Sequence, residues 1–396
     1  MSQGDGAGAR RTVGRAAGRL SRARGSGGWK NHRVSTLPLS STLPFFLELC
    51  AIPSPPGEER AVADRVLAEL RGLGLEVEED DAGAVVDSTI GNLLCRLPGR
   101  GEGTPIFLCA HLDTVPPAGP IEPVVGEDGL VRNAGGTILG ADNKSAVVAM
   151  VEAARRIVEE GRPHAGVELL FTPKEEVGLL GAGAFDHTRL EAELGFVYDQ
   201  AAPIGEVILG APWQRSMLVR FHGRPAHSGM VPEDGRSAIA AAARAIADLR
   251  LGRIDEETTA NVGLITGGSA RNIVPEWCEL QAEARSHDAR KLADLVQEML
   301  DTFAFAASVA ECTVETEVSE TYAGYRFRES DPIVGLARTA LERCGHAFRP
   351  ALTGGGADAN VFNAKGLPCL NLANGMTDIH TADERIAVAD LDAMVE

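Results

Sequence analysis

Short apolar runs that end in chemically able side chains recur along this chain. Phe107, Leu108, Cys109 and Ala110 run into His111-Leu112-Asp113. Residues 167–171 run into Thr172-Pro173-Lys174-Glu175-Glu176, and Phe196-Val197-Tyr198 end in Asp199. Cys369-Leu370-Asn371-Leu372 is followed, after a loop, by Asp378-Ile379-His380-Thr381. Apolar runs of roughly four to eight residues bounded by turn signals read as buried strands. Side chains alternate faces along a strand, so His111 and Asp113 project the same way. Between the runs the spacing turns helical. Residues 43–50 read as a helix broken by Pro53-Ser54-Pro55-Pro56-Gly57. Residues 58–73 place Val62, Val66, Leu67 and Leu70 on one helix face and stop at Gly72 and Gly74. Residues 75–78 and 92–97 read as strands. Leu139-Gly140-Ala141-Asp142-Asn143-Lys144-Ser145 opens a long helix carrying Ala146, Val147, Ala149, Met150, Ala153, Ile157 and Val158. Strands alternating with helices predict an α/β layered domain. In an open α/β sheet, ligands gather at the carboxyl ends of strands, where His111, Glu175-Glu176, Asp199 and the His380 loop fall.

From about residue 211 the pattern changes. A strand at 216–222 leads to the Gly/Pro-rich loop Gly223-Arg224-Pro225-Ala226-His227-Ser228-Gly229. Then come an Ala-rich helix at 237–249, strands at 261–267 and 278–285, a helix at 288–304 and a strand at 312–318. This β-α-β-β-α-β order matches the ferredoxin-like motif. It predicts a domain at 211–320 inserted into the α/β domain made of 37–210 and 321–396, with Gly210-Ala211-Pro212 as the junction. Beyond it, residues 332–344 read as a helix. The loop Thr353-Gly354-Gly355-Gly356-Ala357-Asp358-Ala359-Asn360 opens another, and it matches neither the P-loop nor the dinucleotide fingerprint.

With 396 residues, 44% hydrophobic and 24% charged, the chain has the composition of a soluble two-domain protein. No stretch approaches the ~20 apolar residues of a membrane helix. The net charge of -18 speaks against a nucleic-acid partner and fits a protein that gathers carboxylates around cations. Seven scattered cysteines without C-x-x-C speak against a disulfide framework or a cysteine zinc knuckle and point to a reducing, cytoplasmic setting. Residues 1–36 differ, with eight basic residues against the one acid Asp5. They lack an apolar core for a secretory signal and read as a disordered basic arm, an over-extended start or a transit peptide.

Each cluster has an ordinary reading when taken alone. Asp142 would be a helix cap, Glu175-Glu176 a solvated turn, and His111 a core histidine satisfied by a carboxylate. His164, His187, His222, His287 and His346 read as surface or packing histidines, and Trp213 and Trp277 as packing residues. No G-x-S-x-G elbow points to a serine hydrolase.

The ordered set is the informative signal. A-H-L-D-T-V, G-A-D-N-K, E-E-V-G, V-Y-D, A-H-S-G, G-G-G-A-D-A-N and D-I-H-T resemble the dinuclear-zinc exopeptidase family. That family includes tripeptide aminopeptidase (peptidase T), carboxypeptidase G, acetylornithine deacetylase, succinyl-diaminopimelate desuccinylase and aminoacylase. The run from Gly355 to Pro368 brings the chain nearest the peptidase T-like branch. The resemblance implies a mixed-sheet catalytic domain with an inserted lid and dimerisation domain, and two Zn2+ per chain, with Co2+ or Mn2+ as substitutes. It implies that His111 binds one metal and His380 the other, that Asp142 bridges them, and that Glu176 and Asp199 complete one site each. Asp113 would orient His111, and Glu175 would be the general acid/base. His227, Asn272, Arg285 and Gly355 would contact substrate, His227 by reaching into the partner subunit of a homodimer. The implied reaction is removal of the N-terminal residue of small peptides. N-acyl amino acid deacylation on the same metals is the alternative, and Asp199 rather than Glu leans towards the peptidases. A catalytically silent binding module would lack a ligand or the base, and none of these residues is missing. Two departures stand out: Asn143 follows the bridging Asp where many relatives have a second Asp, and Glu396 comes soon after His380.

Overall fold

The computed structural model describes residues 42–396; the basic arm expected at 1–36 lies outside the described residues. Among them, the His111 strand (Ile106–His111) lies inside a nine-stranded sheet. Its run is apolar throughout because both faces are covered. Phe107 and Cys109 point to one side, where the Phe107 ring meets Phe362 edge-on at 4.8 Å between centroids. Leu108 and Ala110 point to the other, against the core that includes Val147, Met150 and Val151 of the helix Ala141–Glu160. Removing this apolar surface from water on both sides is what fixes the strand in the interior.

Four strands in the sheet are parallel: Val167–Thr172, Ile106–His111, Leu194–Gln200 and Cys369–Ala373, in that spatial order. The register sets Ala110 beside Phe171, Cys109 beside Val197, and Ala373 beside Gln200. Their carboxyl ends therefore share one edge, and the clusters read from sequence open onto it. Leu93–Leu97 and Val77–Glu79 extend the sheet antiparallel on one side, and Glu206–Ala211 with Tyr325–Arg326 and Arg349–Leu352 extends it on the other.

Trp213 to Tyr322 builds a separate five-stranded sheet. Its strands Trp213–His222, Thr258–Gly267, Trp277–Ser286 and Thr313–Tyr322 and its helices Ala238–Asp248 and Ala289–Val309 follow the β-α-β-β-α-β order, with a two-residue strand, Gly252–Arg253, added at the edge. The helices cover one face around their own core of Val219, Phe221, Ala242, Leu280, Met299 and Phe303. Gly210 and Ala211, read above as part of the junction, are ladder residues opposite Arg326 and Tyr325. Alternation is too short there to show a strand in the sequence.

Several elements carry no sequence signal of their own. The short helices Ala82–Val86 and Leu180–Ala184 span barely a turn. A three-stranded sheet joins Pro123–Val125, Leu130–Asn133 and Arg385–Ala387, each too short to show a period. The long helix also opens irregularly: Asp142 and Asn143 leave helical angles (ψ 104° and 26°), and regular turns follow from Lys144. No helix among the described residues is long and apolar enough to cross a membrane.

Candidate metal centre

His111 closes its strand almost fully buried, at 2% exposure. Its Nε2 lies 3.1 Å from Asp142 Oδ1 and 3.6 Å from Asp199 Oδ1. His380, from a loop more than 200 residues away in sequence, brings its Nε2 to 3.2 Å from Asp142 Oδ2 and 3.1 Å from Glu176. The two oxygens of Asp142 therefore face two different imidazoles. One cup is His111, Asp142 and Asp199; the other is His380, Asp142 and Glu176. Glu175 stands beside them, its carboxylate grouped with His111 and Asp199. Asp142, Glu175, Glu176, Asp199 and His380 line a cavity of about 670 Å³.

Each side chain is held by backbone chemistry. Asp113 is fully buried, and its carboxylate accepts the N–H groups of Glu175 (2.9 Å) and Glu176 (3.1 Å). The Glu-Glu turn is thus set by an acid on a neighbouring strand end. The expected orientation of His111 by Asp113 takes a different form. His111 Nδ1 lies 2.9 Å from the Asp113 main-chain oxygen, with the carboxylate farther off at 3.5 Å. The physical reason is that the carboxylate is already engaged by two N–H donors. Asp199 is fixed by Asn371, whose amide accepts from Asp199 N (2.9 Å) and donates to Asp199 O (3.0 Å) where the ladder shifts register. His380 adopts φ +63° and Lys174, just before Glu175, φ +54°. Such left-handed residues are uncommon without Gly and recur at functional sites.

The cluster perturbs its own proton affinities. Burial, then the charge of Asp199, raises Glu175 well above the ordinary carboxyl range. Burial and the charge of Asp142 lift Asp199 to about 7. Burial opposes charge on His111, yet hydrogen bonds to Asp113, Asp142 and Asp199 hold its pKa well above normal. Asp142, then Glu176, push His380 up to about 10. Burial resists ionisation of Asp142, but His111 and His380 win and lower it. Four carboxylates converging around two imidazoles in a poorly hydrated space require compensating positive charge. The donor set, nitrogen and carboxylate oxygen in two three-ligand cups with open directions, fits divalent zinc, cobalt or manganese.

Two residues to which the sequence reading gave no role stand behind this centre. Asp358 is buried behind it, accepts the Thr172 hydroxyl at 2.6 Å, and is raised by burial to about 6. Glu384, at 2% exposure, accepts three main-chain N–H groups from the Asp142 segment. Neither follows an apolar run, so neither carried a positional signal.

Of the expected substrate contacts, Arg285 and Gly355 line the cavity, whereas His227 and Asn272 do not. Glu283 grips Arg285 through Nε (3.1 Å) and one terminal nitrogen (3.0 Å), and Arg285 also donates to Gly354 O at 3.2 Å. Tyr322 lies on the same wall, with a buried hydroxyl that has no partner among the described residues. Its ring sits where any side chain at Gly356 would collide, 2.4 Å from an added Cβ. His227 and Asn272 are exposed and adjoin each other, Ser228 N donating to Asn272 O at 3.0 Å.

The profile of peptidase family M20/M25/M40 matches residues 107–396. The chain belongs to this family. It is 38% identical over 346 residues to the uncharacterised Bacillus subtilis protein YqjE, covering 87% of this chain and 93% of that one. A tripeptidase of Staphylococcus aureus has a solved structure similar to this peptidase at TM-score 0.84 and 36% identity, over 89% of this chain and 95% of that one. The aminopeptidase PepT of Bacillus cereus matches at TM-score 0.79 and 38% identity, over the same shares.

Proposed function

We propose that this peptidase removes the N-terminal residue of tripeptide-like substrates at a dinuclear metal centre. What carries the reading is the pair of cups that share Asp142, with a buried, proton-avid Glu175 beside them. His111, Asp142 and Asp199 hold one cation; His380, Asp142 and Glu176 hold the other. Zinc is the favoured ion, with cobalt or manganese as substitutes. When bound, two such cations supply Lewis-acid polarisation and lower the pKa of water.

The chain's own residues do the rest. Glu175 takes the proton of the attacking water and returns it to the leaving nitrogen, and its raised pKa suits both transfers. Asp113 aims Glu175 and Glu176 through their backbone. Arg285 retains free N–H groups beyond those used on Glu283 and Gly354, and these bind the substrate's terminal carboxylate as a fork. Gly355, next to the Gly354 carbonyl that Arg285 holds, leaves room for the peptide backbone. The Trp213–Tyr322 segment acts as the lid and dimerisation domain. Its edge strand Thr258–Gly267 is paired by Gly252–Arg253 only at Thr259 and Ala260 and exposes Leu264 and Ile265, which supports pairing between two copies. In that homodimer, His227 of the partner subunit and its neighbour Asn272 complete the site and contact the substrate carbonyl. Seven free thiols fit a reducing cytoplasm.

A panel of tripeptides, dipeptides and N-acetyl amino acids tests the reading on zinc-loaded protein. Release of the N-terminal residue from tripeptides is expected. Hydrolysis of the acyl amino acids alone would overturn it in favour of a deacylase.

A further inference from the structure

The loop that presents His380 is a closed unit. Thr377 and Arg385 exchange backbone hydrogen bonds (3.0 and 3.1 Å) across its base, and Arg385–Ala387 then pairs with Leu130–Asn133. His380 stands within this loop, and Glu384 sits at its base. Glu384 does not face the cations' cavity. It turns inward, and its Oε2 accepts N–H from Leu139 (2.8 Å) and Gly140 (3.0 Å), while Oε1 accepts from Asp142 (3.0 Å). Leu139 and Gly140 precede the helix and Asp142 lies in its irregular opening, so Glu384 satisfies N–H groups of the non-helical approach that places Asp142. Lys144, buried and donating to Ile52 O at 2.6 Å, lies close enough to exert an electrostatic pull on Glu384.

We infer that Glu384 is a positioning residue that locks the His380 loop to the Asp142 segment and so sets the spacing of the second metal cup. The inference rests on the dinuclear reading above. His380 Nε2 and Asp142 Oδ2 stand 3.2 Å apart although their segments lie far apart in sequence. The three Glu384 bonds tie those two segments directly. Asp142 also serves the first cup, but there its partners His111 and Asp199 are strand-end residues fixed by the central sheet. Loss of Glu384 therefore falls mainly on the cup that includes His380.

The supporting groups behind metal ligands typically change metal affinity or activity by about 10–100-fold when altered. Glu384→Gln keeps the shape and one acceptor oxygen but replaces the other with an amide that faces N–H donors. Zinc binding to metal-free protein would be followed by calorimetry and by competition with a chromogenic chelator, beside Asp383→Asn, an exposed neighbour, as control. The expected result is two zinc ions in the wild type and the control. In Glu384→Gln one site keeps its affinity and the other weakens about 10–100-fold. Circular dichroism and the urea midpoint of the metal-free variant report whether it is folded; should Glu384→Gln be unfolded, Glu384→Asp provides the same comparison. A folded variant that binds both ions within twofold of wild type overturns the inference. A wild type that binds no zinc instead overturns the dinuclear reading itself.

Discussion

Asp113 supports the candidate site without contacting its cavity, and this makes its replacement a sharp perturbation. Its buried carboxylate accepts two N–H groups, from Glu175 and Glu176. In Asp113→Ala both donors lose their acceptor in a dry environment. An orphaned buried donor costs about 1–3 kcal/mol, so about 2–6 kcal/mol of stability is at stake. In Asp113→Asn one oxygen survives and the new amide confronts the second donor, which limits the loss to about 1–3 kcal/mol. The catalytic effect of Asp113→Asn has a different origin. The turn carrying Glu175 and Glu176 relaxes, and the base leaves its attacking geometry. Small misplacements of this kind cost about 100-fold in rate. The assay pairs urea unfolding with kcat/KM for a tripeptide at saturating zinc. The urea midpoint should fall in the order wild type, Asn, Ala, and the Asn variant should lose rate chiefly in kcat. A variant with wild-type midpoint and wild-type kcat would refute the claim that Asp113 sets the Glu175-Glu176 turn.

Glu175→Gln should retain two metals yet lose at least ~10²–10⁴-fold in kcat, the usual contribution of a general base; full activity in this variant would remove Glu175 from that role. His380 in the metal-free protein holds a proton up to about pH 10 because Asp142 and Glu176 face it. Its raised pKa stabilises the metal-free fold below about pH 6.5, and that contribution is lost as pH rises through 10. Metal binding must displace this proton, so zinc affinity should climb from pH 6 to pH 8, by roughly tenfold per unit for each proton released. Calorimetry in buffers of different ionisation enthalpy counts those protons, and an affinity independent of pH would contradict the assignment of His380 as a ligand. Burial pushes the Cys95 thiol up to about 12 and holds Cys109 and Cys369 well above normal, whereas Cys344 is exposed and Cys312 partly so. An aromatic disulfide reagent at pH 8 should therefore label Cys344 fast and Cys312 more slowly, with the rest reacting only in denaturant. Rapid labelling of Cys95 would show that the sheet interior is open.

The parts of the site that sequence made legible share one property. His111 and Asp199 sit at the end of a strand, and Glu175 and Glu176 just beyond one, where two covered faces call for a mainly apolar run, so burial itself marks the place where chemistry begins. His380 was less sharply marked, because its loop follows the Cys369–Ala373 strand at a distance, and only the resemblance to relatives gave it a ligand's role. The roles of Glu384 and of Asp358, the acid of the G-G-G-A-D-A-N motif, were not legible. These acids act by accepting hydrogen bonds, from backbone in one case and from a hydroxyl in the other, and an isolated acid in a polar or glycine-rich stretch looks like solvent-facing sequence. The role of Asp113 was read as a carboxylate on an imidazole, whereas folding brings two N–H donors from a neighbouring strand end onto it. For the fold, elements of nine residues or more were legible to within a few positions. The three-stranded sheet that anchors the His380 loop was not, since strands of three or four residues show no period.

The central claim is that two cations share Asp142. The most direct test is to count metal per chain by mass spectrometry on purified protein and to follow tripeptide hydrolysis before and after chelation. The account predicts close to two zinc ions per chain in the active form. Activity should vanish on chelation and return when zinc is restored, in step with occupancy. A protein that holds no metal under zinc, cobalt or manganese, or that cleaves peptides unchanged after both ions are stripped, would contradict it.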